Sequence, residues 1–150
     1  MTKAGRVGLV TCLVVAVLAV AVAVYVLRIA LSDHYTFGKN DIAYFLVVTS
    51  PTIRDFPRFT SAGEPLEFTY QARDGTSPSQ ITLTYNSQEP VETLHRNYHR
   101  HCVDKGYPVV ARDQYLRLSD FGCDAPDYRI EALFRKLGAG NFVTAVFLER

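Results

Sequence analysis

Leu66-Glu67-Phe68-Thr69-Tyr70-Gln71 and, beyond a turn, Ile81-Thr82-Leu83-Thr84-Tyr85 alternate large apolar side chains with polar ones. A period of two is the pattern of a half-buried strand. Between the runs stand Asp74-Gly75 and Ser77-Pro78, residues that suit a turn. The stretch 66–85 therefore reads as a β-hairpin with one dry face, and the question is what covers that face.

The next segment supplies a cover. Pro90 suits the first turn of a helix, where its missing N–H costs nothing, and Glu92 suits the positive end of the dipole. The helix should run to Lys105 and stop at Gly106, with Pro108 beyond. At about 100° per residue, Val91, Leu94, Tyr98 and Cys102 fall on one stripe roughly 80° wide. Thr93, Arg96, Asn97, Arg100 and Asp104 fall opposite, the pattern of a surface helix lying on a sheet. Three more strands are expected. Gln114 to Leu118 is short. Tyr128 to Phe134 should bury Tyr128, Ile130, Ala132 and Phe134 while showing Arg129, Glu131 and Arg135. Phe142 to Leu148, after the turn Gly138-Ala139-Gly140-Asn141, is apolar on both faces and should be central. The order β-β-α-β-β-β with hairpin-length connections predicts an α+β domain, an antiparallel sheet with one helix packed on a face.

Working toward the N-terminus, prolines 51, 57 and 65 interrupt any regular element between Thr49 and Pro65. Before them, Asn40-Asp41 precede the apolar run Ile42-Ala43-Tyr44-Phe45-Leu46-Val47-Val48, which suits a capped helix or a strand equally. That run is too apolar to sit in water alone. It should pack on the domain, the membrane or a partner, and Ile42, Phe45 and Leu46 are its candidate partner-binding residues. Ser32 to Lys39 reads as a polar, aromatic neck with Tyr35 and Phe37 at a membrane interface.

Val7 to Leu27 carries no charged side chain. At about 1.5 Å per residue it covers roughly 30 Å as a helix, the thickness of a bilayer's hydrocarbon core. Lys3 and Arg6 close it on one side and Arg28 on the other. The expected organisation is a cytoplasmic head at 1–6, a transmembrane helix at 7–31, a neck and irregular segment at 32–65, and an extracytoplasmic domain at 66–150. Cleavage is the rival, since Ala19-Val20-Ala21 and Ala21-Val22-Ala23 are both A-x-A sites. The apolar run continues through Tyr25-Val26-Leu27, longer than a signal h-region, which favours retention as a single-pass anchor in the inner (plasma) membrane. Cys12 is not a lipoprotein cysteine, because its apolar stretch follows it.

Three of the 16 Lys and Arg flank the apolar run, so the remainder of the chain has 13 against 15 Asp and Glu, a net charge of about −2 before its histidines. That excludes an excess of basic charge for gripping nucleic acid.

The run Tyr85 to Tyr107, with Ser87 and Pro90 at the helix start, Tyr98 in mid-helix and Gly106-Tyr107 at its end, resembles a pattern in small bacterial membrane-anchored proteins and lipoproteins. The resemblance implies an extracytoplasmic α+β module, periplasmic or extracellular, of a kind mostly without known function. It implies no chemistry.

Among the candidate sites, Cys102 and Cys123 are the best pair: an even number of domain cysteines in an oxidising compartment favours a disulfide. His95 and His99 share a helix flank with Cys102 at about 40°, 80° and 20° from Val91, while His101, at about 280°, points elsewhere. His-Arg-Asn-Tyr-His lacks the glutamate of a zinc-protease helix, and no second ligand pair has metal-site spacing. Boundary histidines on an amphipathic helix are the plainer reading. Gly138-x-Gly140 precedes a strand and carries no P-loop lysine. Tyr70, Tyr85, Tyr98 and Tyr128 suit either a core or a pocket between helix and sheet. No catalytic set, metal site or cofactor is expected. The expectation is a non-catalytic accessory or assembly subunit of a membrane or envelope complex, whose partners are the membrane and other envelope proteins. A ligand-binding or sensing module with a cleft between helix and sheet is the alternative.

Overall fold

The computed structural model describes residues 3–30, 32–60, 64–73, 75, 77–110, 119–138 and 140–150, and the chain divides into two units, Met1–Ser32 and Asp33–Arg150. The first is a single helix, α1 (Lys3–Ala30), whose stretch Thr11–Ile29 is long and apolar enough to cross a membrane. Every side chain from Thr11 to Val24 is exposed. A Val, Leu and Ala surface left bare by protein is one that a bilayer would cover.

The second unit is α+β. Its elements are β1 (His34–Gly38), α2 (Ile42–Val47), α3 (Pro51–Arg54), β2 (Glu67–Gln71), β3 (Gln80–Ser87), α4 (Val91–Asp104), β4 (Phe121–Asp124), β5 (Tyr128–Leu137) and β6 (Gly140–Glu149). The strands form one six-stranded antiparallel sheet in the order β1-β2-β3-β6-β5-β4. The hairpin read from 66–85 is β2 paired with β3, with Phe68 opposite Leu83 and Tyr70 opposite Ile81. β6 lies at the centre, as its two apolar faces require.

One face of the sheet is dry. Phe37, Phe68, Leu83, Ala145, Ala132 and Phe121 follow one another across all six strands, and each is at most 3 % exposed. α4 covers this face with Leu94, Tyr98 and Cys102, all fully buried, while Arg96, Arg100 and Asp104 are exposed and Thr93 and Asn97 half-buried. The helix ends as its sequence requires. Gly106 takes φ +71°, the Gly106 N–H donates to Val103 O, and the Tyr107 N–H donates to Cys102 O at 2.8 Å.

Some local features depart from the sequence reading, and one settles what it left open. His34–Gly38, expected as an interfacial neck, is strand β1. Its Tyr35 and Phe37 alternate with Thr36, so Phe37 can stack on Phe68 at 5.9 Å and extend the dry face. The run 42–48 is helical over Ile42–Val47, because one helical turn sends Ala43 and Tyr44 inward onto the sheet. Tyr44 meets Phe68 edge-on at 5.0 Å. Asp41 precedes this helix without a side-chain cap, and its Oδ2 accepts the Gly38 N–H at 2.5 Å instead, closing that end of the sheet's outer edge.

Further departures lie toward the far edge of the sheet. The expected strand Gln114–Leu118 lies outside the described residues, and Phe121–Asp124, absent from the expected strands, is strand β4. Phe121 and Cys123 alternate inward against Ala132 and Ile130, and the Ala125 N–H donates to Tyr128 O to close a tight turn into β5. Glu131 was expected to face solvent but is fully buried, taking a hydrogen bond from the Ser119 hydroxyl at 2.9 Å. The sheet's second face is therefore also covered at this end, where Val146 and Leu148 are 6 % and 4 % exposed. Tyr128, expected in the core, is half-buried.

Candidate functional site

The helix that covers the sheet carries the residues most suggestive of chemistry, and their places follow from its periodicity. Cys102 faces inward and meets Cys123 of β4 at disulfide distance, with the two Cα atoms 6.4 Å apart. His95 and His99 stand exposed on the flank, each in an edge-to-face arrangement with Phe121, at 5.5 and 6.4 Å between centroids. His101 lies on the other side against Phe56, at 5.6 Å. Partial burial pulls its pKa below the ordinary histidine range, helped by the neighbouring Lys105 ammonium. His101 thus lies apart from His95 and His99, and Cys102 is engaged with Cys123. Among the described residues no cluster of His, Cys, Asp and Glu has the geometry to hold a metal ion.

The space between α4 and the sheet is filled. Tyr98 stacks on Phe56 at 5.0 Å and on Phe134 at 5.6 Å, and Phe56 meets Phe147 edge-on at 5.0 Å. The Tyr98 and Tyr85 hydroxyls hydrogen-bond to each other, and Tyr85 also accepts the Phe59 N–H at 3.3 Å. Burial raises the pKa of both phenols, that of Tyr98 strongly. Tyr70 and Tyr128, the other two tyrosines of the expected stripe, are half-buried. The tyrosines at the centre are core, where each buried hydroxyl has found a partner.

Among the described residues, two open clefts lie elsewhere. One, of about 400 Å³, is bounded by Gly38–Asp41 on one side and Glu64–Leu66 on the other. The second, of about 130 Å³, lies where α3 meets the end of α4, with Asp55, His101, Lys105 and Asp127 on its walls. Lys105 and Asp55 sit 3.9 Å apart across it, both more than a third exposed, a pairing too wet to contribute much.

The remaining feature is apolar. On α2 the turn that buries Ala43 and Tyr44 leaves Ile42, Phe45 and Leu46 facing out, 62 %, 63 % and 47 % exposed. They stand at i, i+3 and i+4, one stripe of a helix. These are the three residues that the sequence offers as partner-binding candidates, and the structure shows them exposed. The sequence did not identify buried Glu131, although the apolar residues on both faces of β6 signalled a second covered surface. Comparison with known protein families, curated proteins and solved structures finds no match for this chain.

Proposed function

We propose that this chain is a single-pass, membrane-anchored accessory domain: α1 is retained as the anchor, the α+β unit lies outside the cytoplasm, and its role is non-catalytic assembly with a membrane or envelope complex. The observation that carries this reading is the bare stripe Ile42, Phe45 and Leu46 on a well-packed domain that follows directly on an apolar helix. A soluble domain gains nothing from three neighbouring large apolar side chains in water, whereas a docking surface requires them. The Cys102–Cys123 pair fits an oxidising compartment.

Three measurements test it. Activity at Arg150 of a fused reporter that works only in the cytoplasm would overturn the orientation. Phe45→Asp with Leu46→Asp should abolish association with the complex while leaving the domain folded, because both side chains are exposed. His95→Ala with His99→Ala should leave function intact. Loss of function in that variant, with fold and association preserved, would move the chemistry to the α4 flank.

A sensing module is the second reading, favoured by the cleft of about 400 Å³ beside Gly38 and Glu64. A gain of thermal stability with a small molecule, lost on filling that cleft, would support it.

A further inference from the structure

We propose that β1 is a self-pairing edge: two copies of this chain join their β1 strands antiparallel about Tyr35, so that their six-stranded sheets run on into each other. The contact uses backbone groups of β1 and leaves the α2 stripe to the docking role given it above. It rests on the anchoring reading of α1 only for the concentration at which two copies meet.

The two edges of the sheet are finished differently. At β4 the Val110 N–H donates to Gly122 O at 3.0 Å and the Asp124 N–H donates to Pro108 O at 2.9 Å, so the segment 108–110 occupies the ladder. At β1 the ladder stands open. The Ala72 N–H donates to Asp33 O at 2.9 Å, and an antiparallel strand turns its backbone groups alternately to one side and the other. Asp33, Tyr35 and Phe37 therefore face β2, while His34, Thr36 and Gly38 face outward. Gly38 is already engaged at both groups, its N–H with Asp41 Oδ2 and its carbonyl with the Asp41 N–H at 3.2 Å. That leaves the N–H and C=O of His34 and Thr36, two exposed residues with no backbone partner on that side among the described residues. Open edges are ordinarily blunted by proline, lysine, an inward charge or a bulge. His34–Gly38 carries no proline, lysine or acid, and its register with β2 is unbroken.

These open groups match a second copy of the same strand. With Gly38 blocked, one two-fold register uses all four: His34 opposite Thr36 of the second copy, and Thr36 opposite its His34. Each pair exchanges two hydrogen bonds, and Tyr35 meets Tyr35 at the centre in a non-hydrogen-bonded pair, where side chains stand closest. Aromatic pairs across strands are favourable, and no like charges oppose each other over 34–36. A register with Thr36 opposite Thr36 would set His34 against the blocked Gly38 and keep half the bonds. So short a contact falls below the roughly 800 Å² per partner of a free-standing interface. Two chains anchored in one bilayer meet at a raised effective concentration, where a small contact suffices.

The test uses the full-length chain with Cys12→Ser, reconstituted in phosphatidylcholine vesicles with no other protein and oxidised mildly. Tyr35→Cys should run mainly as a disulfide-linked dimer on non-reducing gels, because a non-hydrogen-bonded pair sets its Cα atoms about 4.5 Å apart, within disulfide reach. His34→Cys and Thr36→Cys should each stay mostly monomeric alone and link when reconstituted together. Thr36→Pro removes an N–H that β2 does not use, so the domain should stay folded while linking at Tyr35→Cys is lost. Linking at Tyr35→Cys no faster than at Leu137→Cys, an exposed site on another strand, would overturn the proposal. So would strongest linking at Thr36→Cys, which would mean that Asp41 does not set the register. A dimer that survives Thr36→Pro with Tyr35→Cys unlinked would assign association to α1 and overturn it equally. Release of the protein by alkaline washing would remove the anchor and this pairing with it, a result distinct from an anchored chain that does not link.

Discussion

The hydroxyls of Tyr85 and Tyr98 hydrogen-bond to each other inside the core, one from the sheet and one from the helix that covers it. Both phenols have pKa values raised above the ordinary 10.0, with burial as the largest cause. A phenol is neutral when protonated, so the folded state holds these protons more tightly than the unfolded chain does. The stability linked to them is complete below pH 10.0 and is lost as pH rises through the folded-state values. Ultraviolet titration should show Tyr85 and Tyr98 ionising above 10.0, with the onset of unfolding. Tyr98→Phe should flatten the alkaline loss and cost about 1–3 kcal/mol, since the Tyr85 hydroxyl loses a buried partner. Titration of Tyr98 at the ordinary value of 10.0 would mean that water reaches the helix–sheet interface.

Large-to-small changes on the buried stripe of α4 should be expensive. Leu94 and Tyr98 are both fully buried, and replacing either by Ala should cost roughly 2–5 kcal/mol. Arg100 is exposed on the same helix, and Arg100→Ala should stay within about 0.5 kcal/mol. Denaturant unfolding of the three variants checks the order. Equal effects would mean that the helix is rotated about its axis.

Joining Cys102 to Cys123, 21 residues apart, ties α4 to β4. The chain-entropy estimate gives about 3 kcal/mol for a loop of this length. Alkylation of the native protein should therefore leave Cys102 and Cys123 unlabelled, both becoming reactive only after reduction. Free labelling of both without reductant would show that no bond forms.

His101 gives the acid side of the pH profile. Its pKa is lowered by burial first and by Lys105 second, so the folded state disfavours the imidazolium. The linked stability is present above 6.5, the ordinary value, and is lost as pH falls below it through the folded-state pKa. Histidine titration by NMR should place His101 below 6.5. Lys105→Ala should raise it only part of the way back, because burial is the larger cause. Full recovery in that variant would show that the Lys105 charge, and not burial, holds the pKa down.

Close approach of the β3 end to the last hairpin sets a further limit. A Cβ on Gly140 would stand 2.9 Å from the Ser87 carbonyl oxygen, which belongs to backbone and cannot swing aside. Gly140→Ala should destabilise the domain by shifting the start of β6. Gly75→Ala meets no atom within 4 Å and tests backbone conformation alone, since Gly75 has φ +54°. A Gly140→Ala variant as stable as the parent would show that the hairpin relaxes freely.

Periodicity and punctuation by themselves determined the apolar N-terminal helix, the 66–85 hairpin, the buried stripe and stop of α4, the central place of β6 and the pairing of Cys102 with Cys123. Each is a local pattern or a rule about which residue types share a face, and local patterns survive folding when nothing distant opposes them. Only tertiary structure decided the rest. His34–Gly38 became a strand because Phe68 offered Phe37 a neighbour across the sheet. The run 42–48, neutral between helix and strand, became a helix because that sheet gave Tyr44 a surface to bury against. Glu131, outward by alternation, is buried because the second face is also covered around it, with Ser119 supplying a hydrogen bond. Alternation states which residues share a face, but whether that face meets water depends on segments far away in the chain.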